Sequence, residues 1–153
     1  VATALASDRL VAIARAFSAL SLAYRASAAR LCALKPGVAS TPTTAIVYQS
    51  CVPYIEQGAN ALDAAAQRMA QTAGIELPVL PMPPVPAEEL GGCDPKAAFE
   101  QEARALYAGI QRATDLAAEV GDQNLTGDTH PYGDVIYGIC LPYLLKAADE
   151  MGA

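Results

Sequence analysis

The stretch VYQSCVPYI, residues 47–55, returns late in the chain as IYGICLPYL, residues 136–144. Each copy holds a Tyr, a Cys three residues on, a Pro two further, and then a second Tyr. Proline inside an apolar helical run lacks the N–H that the backbone ladder needs, and its ring crowds the preceding turn. Two such costly positions in one register point to a structural unit used twice. The offset of 89 residues aligns more than this phrase: Thr41-Pro42 falls on His130-Pro131, and ARAFSA (14–19) falls on ARALYA (103–108).

Working outward, each phrase sits on the second member of a helix pair. Leu10, Ile13, Phe17, Leu20 and Tyr24 step by three and four, which lays them on one face of a first helix. Ser7 is its expected N-cap, and Pro36-Gly37 stops it after Leu34. Thr41 caps the second helix, with Pro42 at the first helical position. Val47, Cys51, Tyr54, Ala61, Ala65 and Met69 carry its apolar face to Gly74. Pro53 is expected to bend this helix and to free the Gln49 carbonyl.

Asp94 and Pro95 open a third helix in which Phe99, Ala103, Leu106, Ile110, Ala113, Ala117 and Val120 alternate by four and three up to Gly121. The last helix starts near Pro131 and turns Ile136, Cys140, Tyr143 and Ala147 inward, with Pro142 in the place of Pro53.

Between the pairs, IELPVLPMPPVPAEELGGC (75–93) has neither helical nor strand period and is dominated by proline. At about 3.1 Å per residue it reaches roughly 55 Å, against about 45 Å for a helix over residues 43–73. The connector is long enough to travel the length of a bundle. The predicted fold is therefore all-α: one four-helix-bundle domain over residues 1–153. It consists of duplicated hairpins at 7–74 and 94–151, joined by a proline-rich crossover at 75–93.

Composition narrows the function classes. A chain of 153 residues with 53% hydrophobic and 17% charged residues reads as a packed domain rather than a disordered one. A net charge of −6 without a Lys/Arg cluster argues against nucleic acid and anionic membrane surfaces. Charged residues interrupt every apolar run before it could span a bilayer, so a soluble, cytoplasmic protein without membrane insertion is expected. The first residues, VATALASDRL, show no charged-then-apolar signal pattern, and the absence of Met suggests processing or trimming.

Two hairpins, a bundle-length connector, and stretches such as ALDAAAQRMAQTAG and LAAEVGDQNLTGD together resemble the ferritin-like superfamily, and its small-ferritin branch in particular. The resemblance implies an up-and-down bundle with a long crossover. Members that oxidise iron place Glu on the first and third helices and Glu-x-x-His on the second and fourth. At the latter spacing this chain has Tyr48-x-x-Cys51 and Tyr137-x-x-Cys140, and its first helix offers only Asp8. The usual di-iron ligands are thus replaced, and the basic DNA-binding tail of the small branch is missing.

Three readings of the repeated phrase stay open at this stage. Cys51, Cys140, Tyr48 and Tyr137 can line a site for a transition metal, since thiolates and phenolates suit soft or borderline ions. They can equally be core residues. Cys51 and Cys140 can also form a disulfide, as can Cys32 with Cys93, which end and precede helices at one pole; reduced thiols suit a cytosolic protein.

The remaining motifs are weaker. Asp122-x-Asn124-x-Thr126-Gly127-Asp128 overlaps the front half of a calcium loop, yet its twelfth place is Gly133 rather than Glu, which favours a helix-connecting turn. Asn124-Leu125-Thr126 fits a glycosylation acceptor. His130, the one histidine, is expected as a cap or an exposed residue. Glu100 and Glu102 diverge on a helix, and Glu88-Glu89 lie in the connector, so neither pair makes an acid/base site. The reading is a non-catalytic structural or oligomer-forming subunit, a homo-oligomer or part of a larger assembly. The alternative is a redox or iron-handling protein with its site at the Tyr-x-x-Cys pair.

Overall fold

The computed structural model describes residues 6–78, 80–81 and 94–152. Helix α1 spans Ser7–Leu34 and runs into a 3₁₀ turn, Lys35–Gly37. Helix α2 is continuous through Pro42–Ile46, a π turn at Val47–Cys51, and Val52–Ala73. Helix α3 spans Pro95–Val120. A short helical turn, Gln123–Thr126, and a 3₁₀ turn, Gly127–Thr129, lead into α4, which comprises His130–Val135, a second π turn at Ile136–Cys140, and Leu141–Gly152. No strand occurs among the described residues.

The helix ends follow local chemistry. At the start of α2, the Thr41 hydroxyl accepts from the Thr44 N–H at 3.1 Å while the Thr44 hydroxyl accepts from the Thr41 N–H at 2.9 Å, a reciprocal cap ahead of Pro42. Asp94 accepts from the Lys96 N–H at 3.1 Å ahead of Pro95. Gly74 and Gly121 close α2 and α3 in the left-handed conformation, at φ 76° and 70°. Ser7 departs from its expected role: it is the first residue of α1, Ala6 occupies the cap, and no side chain satisfies that end.

Cross-helix contacts set the directions. Ser21 donates to the Ala59 carbonyl at 2.6 Å and Tyr48 to the Leu31 carbonyl at 2.7 Å, so α1 and α2 are antiparallel. The Arg9–Glu119 and Arg30–Glu102 pairs make α1 antiparallel to α3. Thr43 donates to Glu150 at 2.8 Å, and Arg68 reaches the Leu125 carbonyl and Asp128 near the other end, so α2 opposes α4. Lys96 reaches the Ala148 carbonyl and Tyr107 stacks near Tyr137, so α3 opposes α4. The order is up, down, down, up. The ends joined by residues 75–93 consequently lie at opposite poles, although most of that connector, Cys93 and Glu88-Glu89 fall outside the described residues.

The core fills along the predicted faces. Ile13, Phe17, Leu31, Val47, Ile55, Met69, Phe99, Leu106, Ile136 and Leu144 are buried within it. Removing such apolar surface from water contributes about 25 cal/mol per Å², and this sets the packing of the helices. Tyr54, Tyr143, Ala117 and Val120, also expected inside, are only partly buried and sit at the core's edge.

Among the described residues one charged side chain lies inside. Glu102, 4% exposed, faces α1, where Arg30 grips both carboxylate oxygens at 2.8 Å and Ser27 donates a third hydrogen bond at 2.8 Å. A buried carboxylate persists only with such partners. The Arg9–Glu119 fork at the other end of the same helix pair is exposed, and solvent weakens it. Glu102→Ala is expected to cost about 2–3 kcal/mol by leaving Arg30 and Ser27 unpaired, and Arg9→Ala far less, because water screens that fork. Urea unfolding of the two variants measures the contrast.

Candidate functional site

The two π turns meet where α2 crosses α4. In each, an N–H bonds to the carbonyl five residues back, Val52 to Val47 and Leu141 to Ile136. A proline follows at once, Pro53 or Pro142. The extra residue widens the turn ahead of the proline, where an α-helical ladder would have needed its N–H. The sequence pattern predicts a kink here; the structure takes up the proline with a π turn, at the same place in both copies.

This geometry brings Cys51 and Cys140 together in the core, each 1% exposed. Both thiols are free, so the disulfide alternative between them is not adopted. They face each other across the contact of the two turns, and each thiol shifts the other. The hydrogen bond from Cys140 makes the Cys51 proton easier to lose, against the opposing effect of burial. That same bond, then burial, then the neighbouring charge push Cys140 far up.

The tyrosines do not join them. Tyr48 turns toward α1: its hydroxyl is held by the Leu31 carbonyl, its ring meets Phe99 edge-on at 6.4 Å, and Lys35 lies 5.4 Å above it. Burial pushes its phenol well above the usual tyrosine range, with a smaller push from Cys32. Tyr137 turns outward, 55% exposed, with its ring 5.7 Å from Tyr107. The expected four-residue ligand set therefore reduces to two sulfurs. Among the described residues no group of three or more His, Cys, Asp or Glu side chains gathers for a metal. A tetrahedral site would need two further ligands, whereas two thiolates suit a soft ion.

Tyr137 belongs to a different feature, an apolar groove of about 550 Å³ on the outer side of α3 and α4. Tyr107, Leu141, Pro142 and Leu145 line it with Tyr137, and Arg104 stands at its rim. Tyr107, Tyr137 and Leu145 are 40%, 55% and 46% exposed, a concentration of large apolar side chains on one face. Sequence periodicity missed this groove because Tyr137 aligns with the half-buried Tyr48.

The other candidate motifs resolve into structure. Asp122 caps the short turn by accepting from the Asn124 N–H at 2.9 Å, and Asp128 pairs with Arg68, so the calcium-like spacing serves a helix connection. Asn124 of the glycosylation-type triplet is exposed. His130 opens α4, exposed, 3.2 Å from Asp134. Cys32 is exposed, and its proposed partner Cys93 lies outside the described residues. Burial, then Glu56, raise the Cys32 thiol above its ordinary value, while Lys35 opposes them. Glu102, set aside in the sequence for lack of a carboxylate partner, proves to be the buried anchor of α3 on α1.

No protein-family model, curated protein or solved structure matches the chain.

In a Cys93→Ser background, Cys32 is expected to react with a thiol reagent in the native state, more slowly at neutral pH than a free cysteine and faster as pH rises. Cys51 and Cys140 are expected to react only when denaturant opens the core. Time-resolved thiol counting by mass spectrometry distinguishes the two classes.

Proposed function

We propose that this chain is a non-catalytic, ferritin-like helical bundle that acts as an oligomer-forming subunit and pairs with a second copy of itself through the α3/α4 groove. The observation that carries this reading is the groove itself. Tyr107, Tyr137, Leu141, Pro142 and Leu145 leave an almost wholly apolar face in water, of the aromatic and aliphatic kind that anchors interfaces.

Two antiparallel helices are themselves close to twofold symmetric, which suits an isologous contact with the same pair on a second copy. Charge supports the choice. Arg104 on the rim is exposed and has no ion-pair partner among the described residues, and Asp149, one turn beyond Leu145, is 87% exposed and held only loosely, by Lys96 at 3.8 Å. In a twofold arrangement each copy's arginine can meet the other's aspartate.

The ferritin-like component rests on the up-down-down-up order, on the opposite poles that residues 75–93 join, and on the π turns repeated at the 89-residue offset. Duplication of one hairpin explains all three, with the proline-rich segment as crossover.

A second reading is favoured by one observation, the meeting of Cys51 and Cys140. On this reading the crossing of α2 and α4 handles a thiophilic transition metal held by two sulfurs.

Sedimentation velocity over a range of concentrations is expected to show a dimer or larger closed assembly. Tyr137→Glu with Leu145→Glu is expected to shift it to monomer with helicity unchanged; a wild-type protein that stays monomeric throughout removes the subunit reading. For the second reading, elemental analysis of natively purified protein is expected to give near-stoichiometric metal that is lost in the Cys51→Ala, Cys140→Ala variant. Equal metal in both rejects it.

A further inference from the structure

A second concavity lies between α1, α2, α3, the α3–α4 connection and the start of α4, and it shares no residue with the apolar groove. Its volume is about 410 Å³. Tyr24 of α1 reaches into it as a wedge. A Cβ placed on Gly109 of α3 would stand 3.0 Å from the Tyr24 ring, and one on Gly58 of α2 would stand 3.7 Å from it. Gly109 thus clears the space in which the ring sits, whereas a Cβ on Gly58 would make only ordinary contact with it.

Gly58 lacks a side chain for a different reason: its Cβ would stand 3.2 Å from Ile136 Cδ1. The result is a tyrosine only 4% exposed that lines a cavity and whose hydroxyl has no hydrogen-bond partner among the described residues. Among the described residues no side-chain oxygen or nitrogen fully sealed from solvent is left unpaired, so this hydroxyl keeps contact with solvent, and the cavity that the tyrosine lines offers it. Buried polar groups are almost always satisfied, and burial keeps this phenol protonated, a donor.

The walls define what would satisfy it. Leu62, Ile110, Ala113 and Ala117 give an apolar interior of small and branched side chains, and Gln123 and Thr129 stand among the polar lining groups. No Lys or Arg lines the cavity. Its one carboxylate, Asp134, and its one histidine, His130, face each other at 3.2 Å with side chains 67% and 69% exposed, so both stand in water and the interior holds no charge for an ion to meet. The volume falls at the small end of ligand sites, which span about 300–1,000 Å³.

We propose that this cavity binds a small neutral molecule, mostly apolar and about one ring in size, whose hydrogen-bond-accepting oxygen meets the Tyr24 hydroxyl. This site goes beyond the subunit role and does not depend on it. Sequence patterning assigns Tyr24 to the core face of α1; the hydroxyl at the end of that ring is what makes the cavity a site.

The test uses acetophenone as the neutral probe, with benzoate and benzylamine as charged counterparts of the same size. Titrations are followed by the backbone amide signals of Thr114, Gln123, Thr129 and Gly133. Acetophenone is expected to produce saturable shifts at these amides, and the two charged compounds none. Tyr24→Phe, which keeps the wedge and removes the hydroxyl, is expected to weaken binding roughly three- to tenfold. Ala117→Leu, which fills the cavity from α3, is expected to abolish it.

Absence of saturable shifts in the wild-type protein overturns the proposal, as does unchanged affinity in Tyr24→Phe. Equal binding of benzoate or benzylamine overturns the neutral-ligand assignment. Should Ala117→Leu fail to fold, the Tyr24→Phe comparison decides alone.

Discussion

The constraint on which this bundle depends is the crossing of α2 and α4, where Cys51 packs against Cys140 with a π turn in each helix. A proline two residues beyond each cysteine forbids an unbroken α-helical ladder. The inserted residue restores continuity by widening the turn just before it. Small side chains at the contact let the backbones approach, and the same economy recurs at Gly58, where α2 closes on Ile136. Away from this crossing α2 stays tied to its neighbours, by Thr43–Glu150 toward one pole and by Arg68 with the α3–α4 connection toward the other, and α1 and α3 complete the bundle.

A second, polar constraint orders the other helix pair. Glu102 is buried on α3 and satisfied only if Arg30 and Ser27 of α1 stand opposite it. Sliding α1 along α3 by one turn would strand the carboxylate, at a cost larger than that of any single surface pair. Apolar contacts between Ala-rich helices are weakly specific about register, so this one buried fork contributes disproportionately to alignment. The exposed Arg9–Glu119 fork marks the same alignment at the far end with less energetic weight.

The two halves of the chain share a pattern and differ in use. Tyr48 and Tyr137 occupy matching places, yet the first donates to a carbonyl of α1 and the second lies open in the groove. Tyr24 falls opposite Ala113 under the 89-residue offset, and only the first half supplies the aromatic wedge. The shared phrase covers helices, prolines and cysteines alike. The groove and the cavity depend on what each half places around it, which is why the repeated phrase alone pointed to a shared site that the side chains do not complete.

Helix number, most helix boundaries and much of the buried face were legible in the sequence, because they follow from short-range physics. Apolar spacing of three and four, proline at a first helical position, a threonine or aspartate cap and glycine in the left-handed conformation act within one or two turns of chain. The proximity of Cys51 and Cys140 was also legible, through the repeat. The π turns, the parting of the tyrosines, the burial of Glu102 and the unpaired hydroxyl of Tyr24 were not. Each depends on what a neighbouring helix, distant in sequence, places against that side chain, and such contacts are decided only when the four helices pack.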